Sequence, residues 1–365
     1  MRKLILGLAG IGLIFASGCT KEKTEDQSYS IPSSYNFENV NYSGQTARLG
    51  MLLELSTYAK SANTAGVILD AAKLKAIYDN TAMAGFTGTY PSDKQLKDKT
   101  ISTEQSLFEG LMEDLAAIST STDTASNGKA GRAVSAAGKS YLLTAGGVEI
   151  GQIIEKGLMG ALLYYQATAV YLADGKMNVD NETVTAGEGT VMQHHWDEAF
   201  GYLGVPIDFP GNTTGTFFWG NYSNNRQAVL GSNTTLMNAF LKGRAAIGAK
   251  KLADRDAAIS TIRSEWEKVC VGSALHYLNG AYESYDTDKA AFFHEISEGL
   301  AFVYALRFNP KASISQSQID VYLTQLAGTT DLRQLNFYNL TKSEINTIRI
   351  NLANDFNLSG QLSAF

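Results

Sequence analysis

Apolar residues recur at helical spacing along most of the chain, and helix-breaking residues are few. Only five prolines occur in 365 residues, and the segments between them carry Ala, Leu, Glu and Lys with apolar positions three and four residues apart. This pattern predicts a mostly α-helical protein. The predicted helices cover 45–60, 64–79, 102–119, 127–173, 190–203, 232–250, 254–281, 286–307, 315–326 and 341–353. The longest is expected to break near Gly146 and Gly147.

Three segments without helical period separate these helices: 120–130, 174–189 and 204–226. Loops of this length between packed elements are usually functional or mobile. The third contains two prolines and marks the expected domain boundary. We therefore predict two helical-bundle halves, 36–210 and 211–365, that pack against each other.

The N-terminus, "MRKLILGLAGIGLIFASGC", has a basic start, an apolar run and small residues before Cys19. The run is too short for a transmembrane helix and has the plan of a secretory signal, here residues 1–18. Small residues before a cysteine resemble the bacterial lipobox, which implies cleavage before Cys19 and its acylation. The polar stretch 19–35 then reads as a flexible tether, and the protein is expected to be an outer-membrane lipoprotein, either periplasmic or surface-exposed.

Charge and cysteine content narrow the possible partners and the sources of stability. The full chain has a formal net charge of −6, and loss of the signal makes it more acidic, so nucleic acid is not expected as a partner. Apart from Cys19 the only cysteine is Cys270. An internal disulfide is therefore not expected, and stability must come from burial of the core.

The stretch "HHWDEAFGY" contains two of the four histidines. On a helix, His195 falls in the middle of an apolar stripe, Glu198 at the edge of that stripe, His194 at its flank and Asp197 on the opposite, solvent-facing side. The stripe itself consists of Val191, Met192, Ala199 and Tyr202. His195 and Glu198 are thus expected to face the interior, where each needs a polar partner.

A second segment, "AAFFHEISEGLAFVYALRF", is apolar around most of its helix and also carries a His and a Glu, His294 and Glu298. They are four residues apart on a sector of small alanines, which leaves room for another helix or for a pocket. Glu149 and Glu155 are further candidate carboxylates, of which Glu149 is expected on a solvent-exposed face.

Helical bundles build metal sites from Glu and His at a spacing of three or four on facing helices. His195, Glu198, His294 and Glu298 are therefore the candidate ligands, and imidazole with carboxylate suits iron or zinc. Two alternatives stay open: two unrelated core pairs that satisfy themselves, and a catalytic dyad. The string "HEISE" lacks the second histidine of the zinc-protease motif, because Glu298 stands in its place.

Four segments carry a family resemblance: the lipobox, "YNFENVNYSGQTARLGMLLEL", "EIGQIIEKGLMGALLYYQAT" and "HHWDEAFGYLGVPIDFP". In this order they resemble a family of Bacteroidetes lipoproteins known as domain of unknown function 4856, which looks like a relative of the imelysins. The resemblance implies an all-α fold of two bundle-like halves and a link to iron uptake. The imelysin motif Gly-x-His-x-x-Glu places its His and Glu at His195 and Glu198, with Gln193 instead of the glycine.

Three classes of function follow from these observations. The leading hypothesis is a lipid-anchored envelope protein that binds a metal ion or metal complex and works with an envelope receptor or transporter in iron uptake. A second is a surface recognition module for a glycan or a protein, in which Trp219, Phe217 and Phe218 contact the ligand. A third is a metal-dependent peptidase. Binding is favoured over catalysis.

Overall fold

The computed structural model describes residues 29–365. The predicted signal peptide, Cys19 and the first part of the tether therefore lie outside the described residues. The described chain is mainly helical, and the prediction of an all-α fold is confirmed. Its α-helices are α1 Ser43–Ser61, α2 Ala71–Asp79, α3 Gln105–Ser119, α4 Ile150–Leu158, α5 Asp174–Met177, α6 Val191–Gly201, α7 Trp219–Leu230, α8 Ser232–Gly248, α9 Leu252–Ser284, α10 Lys289–Ala305, α11 Gln316–Ala327 and α12 Lys342–Asp355.

The centre of the molecule is organised around α9, a helix of 33 residues. It packs against α7, α8, α10 and α12. Trp266 of α9 is fully buried, and its ring meets Trp219 at 6.1 Å and Tyr164 at 5.7 Å between centroids. Buried apolar residues from both predicted halves form one core cluster. The division of the chain near residue 210 stays a prediction.

Helix α4 continues through two π-helical segments, Met159–Tyr164 and Gln166–Tyr171. A π-helix shifts its carbonyls out of α-helical register, so some of them need other donors. The indole N–H of Trp219 donates to the Met159 carbonyl at 2.9 Å, and Arg263 donates to the Thr168 carbonyl at 2.8 Å. Side chains from distant parts of the chain therefore hold this wide helix in place.

Several elements differ from the predicted pattern. Helix α2 begins at Ala71 instead of near residue 64, and α5 lies in the predicted loop 174–189. The segment predicted as the start of a long helix, 127–149, contains instead an antiparallel hairpin of β1 Gly131–Val134 and β2 Ser140–Leu143. The predicted loop 204–226 contains the first part of α7. The Ala-rich sequence favoured helix over hairpin, whereas α7 has Gly and Asn residues of low helix propensity and is held by tertiary packing of Trp219.

Helix α6, which carries the candidate histidines, is held by local and tertiary contacts. At its start, Thr190 and Gln193 form a reciprocal capping box. Trp196 then packs against α8 at Gly243, where a Cβ atom would lie 2.1 Å from the indole ring, so only glycine permits this approach. Phe200 stacks on Tyr35 at 3.7 Å between ring centroids. The helix is thus fixed on two sides.

Candidate functional site

His195 and Glu198 form a pair on α6, and both side chains are partly exposed at the protein surface. The Nδ1 atom of His195 lies 3.1 Å from Glu198 Oε2, and Gln45 of α1 donates to Glu198 Oε1 at 2.9 Å. The His195 side chain is 14% exposed. Within residues 29–365, no group hydrogen-bonds to the second ring nitrogen of His195, Nε2. One ring nitrogen is therefore oriented by a carboxylate while the other stays available.

The pair is bordered by an aromatic ring and a lysine. Tyr171, at the end of the π-helical stretch, lies 5.9 Å from the His195 ring, and Lys99 donates to the Tyr171 hydroxyl at 3.2 Å. Burial and the charge of Arg48 lower the pKa of Lys99. Burial would raise the pKa of Glu198, but hydrogen bonds from His195 and Gln45 outweigh it and lower the pKa. Glu198 therefore carries its charge at neutral pH.

The assignment of Asp197 to the solvent face is wrong. Asp197 is fully buried, and its Oδ1 accepts hydrogen bonds from Tyr35 Oη at 2.7 Å and from Arg244 Nε at 2.8 Å. Burial raises its pKa to about 6, although the ion pair with Arg244 lowers it. Val191, predicted to face inward, is 45% exposed. Helix α6 packs on two sides and therefore has no single buried stripe, whereas the helical projection predicts one apolar stripe.

His294 lies between two carboxylates. Its Nδ1 is 2.6 Å from Glu149 Oε2, and its Nε2 is 3.4 Å from Glu298 Oε1. Tyr141 of β2 stacks on the imidazole at 4.5 Å between ring centroids. Burial alone would lower the pKa of His294, but the hydrogen bond and charge of Glu149 raise it above the ordinary value. Glu149 therefore hydrogen-bonds Nδ1 of His294, and Nε2 faces the carboxylate of Glu298.

The placement of Glu149 on an exposed face is also wrong, because this residue is 1% exposed. It precedes α4, which packs against α10. Besides His294, Asn63 donates to Glu149 Oε1 at 2.8 Å. The helical pattern of the segment that begins at Val148 is expected to place Glu149 on a polar face, whereas Glu149 is the N-cap of α4 and its side chain turns inward.

A buried lysine extends this cluster. Lys156 of α4 is 3% exposed, and its Nζ lies 2.7 Å from Glu155 Oε1 and 3.4 Å from Glu298 Oε2. Burial would lower the pKa of Lys156, but the two carboxylates raise it. Burial likewise would raise the pKa of Glu155, but Lys156 and Lys60 lower it to about 2. The interior thus contains a charged network whose members compensate one another.

The two histidine pairs, on α6 and α10, contact opposite ends of two other helical segments: α1 and the stretch that begins with α4. Glu149 contacts His294 and Tyr171 contacts His195, and the helical stretch between them is about 30 Å long at roughly 1.5 Å per residue. Helix α1 gives a similar length, because Gln45 near its start contacts Glu198 and Asn63 just after its end contacts Glu149. His195, Glu198, His294 and Glu298 therefore do not share one centre.

Within the described part of the chain, no three His, Cys, Asp or Glu side chains form a group that could hold a metal ion. His195 with Glu198, and His294 with Glu298, each supply one imidazole and one carboxylate. Binding of iron or zinc at either pair stays a prediction.

The aromatic residues near α7 fall into two groups. Trp219 is fully buried with its indole N–H bonded to Met159, and Phe218 is 7% exposed. Trp219 belongs to the core, so the prediction that it contacts a ligand is wrong. Phe217 is half-buried and lines a cavity of about 340 Å³ with Lys60 and Glu155. Phe218 also lines this cavity, so of the three aromatics the two phenylalanines border it and Phe217 is the more exposed.

Sequence reasoning missed several buried charged residues, among them Lys156 and the Asp197–Arg244 pair. Lys156 stands in "EIGQIIEKGLMGALL", a mainly apolar run that also contains Glu149 and Glu155, and charges in such a run were the available signal. Arg244 in "MNAFLKGRAAIG" has the same kind of surroundings. Glu155 is next to Lys156 in the sequence, but its other partner Glu298 is far away along the chain, as Asp197 is from Arg244. These long-range pairs could therefore be found only in three dimensions.

Comparisons with known proteins give one match. None of the helices within residues 29–365 combines the length and hydrophobicity needed to cross a membrane. No curated protein and no solved structure matches the chain. The model of the family called domain of unknown function (DUF4856) matches residues 32–359. The chain therefore belongs to the DUF4856 family.

Proposed function

We propose that this protein is an imelysin-like lipoprotein of the bacterial outer membrane, anchored through Cys19, that binds a metal complex at His195 and serves iron uptake. One observation carries the metal site: Glu198 holds Nδ1 of His195, while no group within residues 29–365 hydrogen-bonds to Nε2. Metal-binding histidines are usually oriented in this way, by a carboxylate on the nitrogen that does not bind the metal. The lipobox residues before Cys19 and the order of the family segments support the anchor and the imelysin relationship.

The geometry favours a metal that brings most of its own ligands. A protein site for bare zinc supplies three or four ligands, whereas this site offers one oriented imidazole. A chelated iron, such as an iron porphyrin, needs only one or two further bonds from the protein. Lys99 is half-buried beside Tyr171, and within the described chain it forms no ion pair. A cation in this position suits a complex with carboxylate groups at its edge.

Titration of the purified protein, prepared without a histidine tag, with ferric protoporphyrin tests this proposal. We expect a shifted Soret band that saturates near one equivalent, loss of the shift in His195→Ala, and weaker binding in Lys99→Gln. His294→Ala serves as the matched control, since it removes an imidazole whose two nitrogens both face protein carboxylates. A spectrum that His195→Ala leaves unchanged would count against the site.

A parallel metal analysis with Zn²⁺ and Fe²⁺ separates the two forms of the proposal. Stoichiometric binding of a bare ion that depends on His195 would favour a metal ion over a complex. Binding of neither the porphyrin nor the ions would remove the proposal. Dependence of growth under iron limitation on the protein, together with capture of an envelope receptor or transporter, tests the link to uptake.

A second function, recognition of a glycan or a protein partner, is favoured by the cavity at Phe217. The half-exposed Phe217 ring shares this cavity with the amides of Asn221 and Asn225 and with the Lys60–Glu155 pair. Aromatic faces beside amide and charged groups are typical of sites for polar ligands. Phe217→Ala is expected to abolish binding to a glycan array while leaving the melting temperature nearly unchanged. Equal binding by this variant and the parent protein would argue against the cavity as the contact.

A further inference from the structure

A second cavity lies on the opposite side of α6 from His195. Its volume is about 620 Å³, and its walls include Arg244 of α8, Gln193 of α6, and Phe37 and Glu38 of the segment that precedes α1. Cavities between roughly 300 and 1,000 Å³ are typical of small-molecule sites. Neither the proposed metal site nor the Phe217 cavity uses these residues.

Arg244 supplies a preorganised cation to this cavity. Its side chain is 3% exposed, and its Nε donates to Asp197 Oδ1 at 2.8 Å, which fixes the plane of the guanidinium. Its Nη2 makes a long contact of 3.4 Å with the Glu38 carbonyl. Within residues 29–365 no acceptor pairs with Nη1, and this atom is not sealed from solvent. The Nη1–Nη2 edge is therefore left for a planar anion.

Gln193 supplies a second donor. Its Oε1 accepts a hydrogen bond from the Thr190 backbone N–H at 3.0 Å as part of the capping box at the start of α6. This bond fixes the amide, and Gln193 lines the cavity. No acceptor within the described residues takes a hydrogen bond from its Nε2, so Nε2 is the donor offered to a ligand. The Phe37 ring lies 5.2 Å from the Arg244 guanidinium carbon, within the range of a cation–π contact.

The charges around the cavity limit the net charge of an anion that could bind there. Asp197 already pairs with Arg244, and Glu38 stands at the exposed rim. The whole chain has a net charge of −6. A dianionic phosphate would meet more repulsion than attraction here, whereas a single carboxylate matches two donor groups and the planar guanidinium fork. Phe37, Pro32 and Val184 provide apolar wall for the remainder of a ligand.

We propose that this cavity binds a small monocarboxylate with an aromatic or apolar body, with the carboxylate on Arg244 and Gln193 and the body against Phe37. The proposal is independent of the metal site, because α6 separates the two and they share no side chain.

Benzoate and its neutral analogue benzamide are the probes, measured by calorimetry or by ligand-observed NMR on the purified protein. We expect benzoate to bind and benzamide to bind at least tenfold more weakly, since the amide replaces a charged acceptor with a neutral group. Aliphatic hexanoate is expected to bind more weakly than benzoate. Equal affinity for benzoate and benzamide, or no binding of either acid, would overturn the proposal.

Gln193→Glu is the sharpest variant. Glutamate also serves at this capping-box position, so the start of α6 is preserved while a donor becomes a carboxylate. We expect at least a tenfold loss of benzoate affinity. Gln318→Glu is the matched control, because Gln318 occupies the same position after the N-cap Ser315 of α11. An equal loss in both variants would show an effect of net charge alone and would contradict the site.

Phe37→Ala gives a second test that leaves α6 and the Asp197–Arg244 pair intact. The expected result is a smaller difference between benzoate and hexanoate, with the preference of benzoate over benzamide retained. If the difference between the two acids is unchanged, the body of the ligand does not lie on Phe37 and the proposed orientation is wrong.

Discussion

The His195 and His294 pairs have the same composition and nearly the same spacing, yet they occupy different environments. His195 has a carboxylate on one nitrogen and none of the described groups on the other. His294 has Glu149 on one nitrogen and Glu298 on the other, and a buried lysine beyond them. The first is therefore an open site and the second a closed network. The helix that carries each pair does not decide this difference; the neighbouring helices do.

This contrast shows why a buried His–Glu pair is ambiguous. In the closed network, Glu149 at the start of α4 faces His294, and Lys156 of α4 lies between Glu155 and Glu298. Such a network is held by mutual compensation, because each member would be costly if it were left unpaired. In the open site, the described protein groups hydrogen-bond to only one of the two imidazole nitrogens of His195, and the other nitrogen is left for a ligand. The following changes test the contrast, from the largest expected effect to the smallest.

Lys156→Met should give the largest loss of stability, about 3–5 kcal/mol, because it leaves the carboxylates of Glu155 and Glu298 buried without their shared cation. Lys60→Met is the matched control: Lys60 pairs with the same Glu155, but its side chain is 34% exposed, and about 1 kcal/mol or less is expected. Urea denaturation measures both. Similar losses for the two variants would mean that the network is not closed.

His294→Ala should destabilise the protein by about 2–3 kcal/mol, since the buried Glu149 carboxylate loses a hydrogen bond and Glu298 loses a nearby positive charge. His195→Ala should lose about 1 kcal/mol or less, because Glu198 keeps its bond from Gln45 and has access to solvent. Thermal and urea unfolding of the two variants give the comparison. The reverse order would contradict the assignment of open and closed sites.

Glu295→Gln should stabilise the protein by about 1 kcal/mol at pH 8 and have no effect near pH 4. Burial beside the closed network raises the pKa of Glu295 to about 7 from an ordinary value of 4.5. A carboxyl with a raised folded-state pKa contributes stability below its unfolded pKa, and this contribution is lost as the pH rises through about 7. Stability curves from pH 4 to pH 8 should therefore diverge between the variant and the parent protein.

Glu198→Gln should have the smallest effect and the opposite sign, a loss of about 0.5 kcal/mol at neutral pH. The pKa of Glu198 is lowered, so its stabilising contribution is present above the unfolded pKa and disappears as the pH falls through the folded-state value. The two proteins should become equally stable in acid. A stabilising effect at pH 8, like that expected for Glu295→Gln, would mean that Glu198 belongs to a buried, uncompensated site.

Helix positions were predictable where periodicity and capping agreed. Thr190 and Thr341 each begin a helix with a capping box, and Ser315 caps α11, so these three starts lie within a residue of the expected positions. The hairpin within 127–149 and helix α7 were not predictable in the same way. Their stability depends on packing against distant residues, which outweighs local propensity.

The sequence by itself determined that the chain is helical, that its core is large, and that His195, Glu198, His294 and Glu298 need polar partners. Those properties follow from residue type and from spacing along one helix. The tertiary structure decided who the partners are: Gln45 meets Glu198 across 153 residues, and Glu149 meets His294 across 145. It also turned Asp197 onto Arg244 and so built a second site on the same helix. A polar side chain's role depends on its neighbours, and in a packed bundle those neighbours come from other helices.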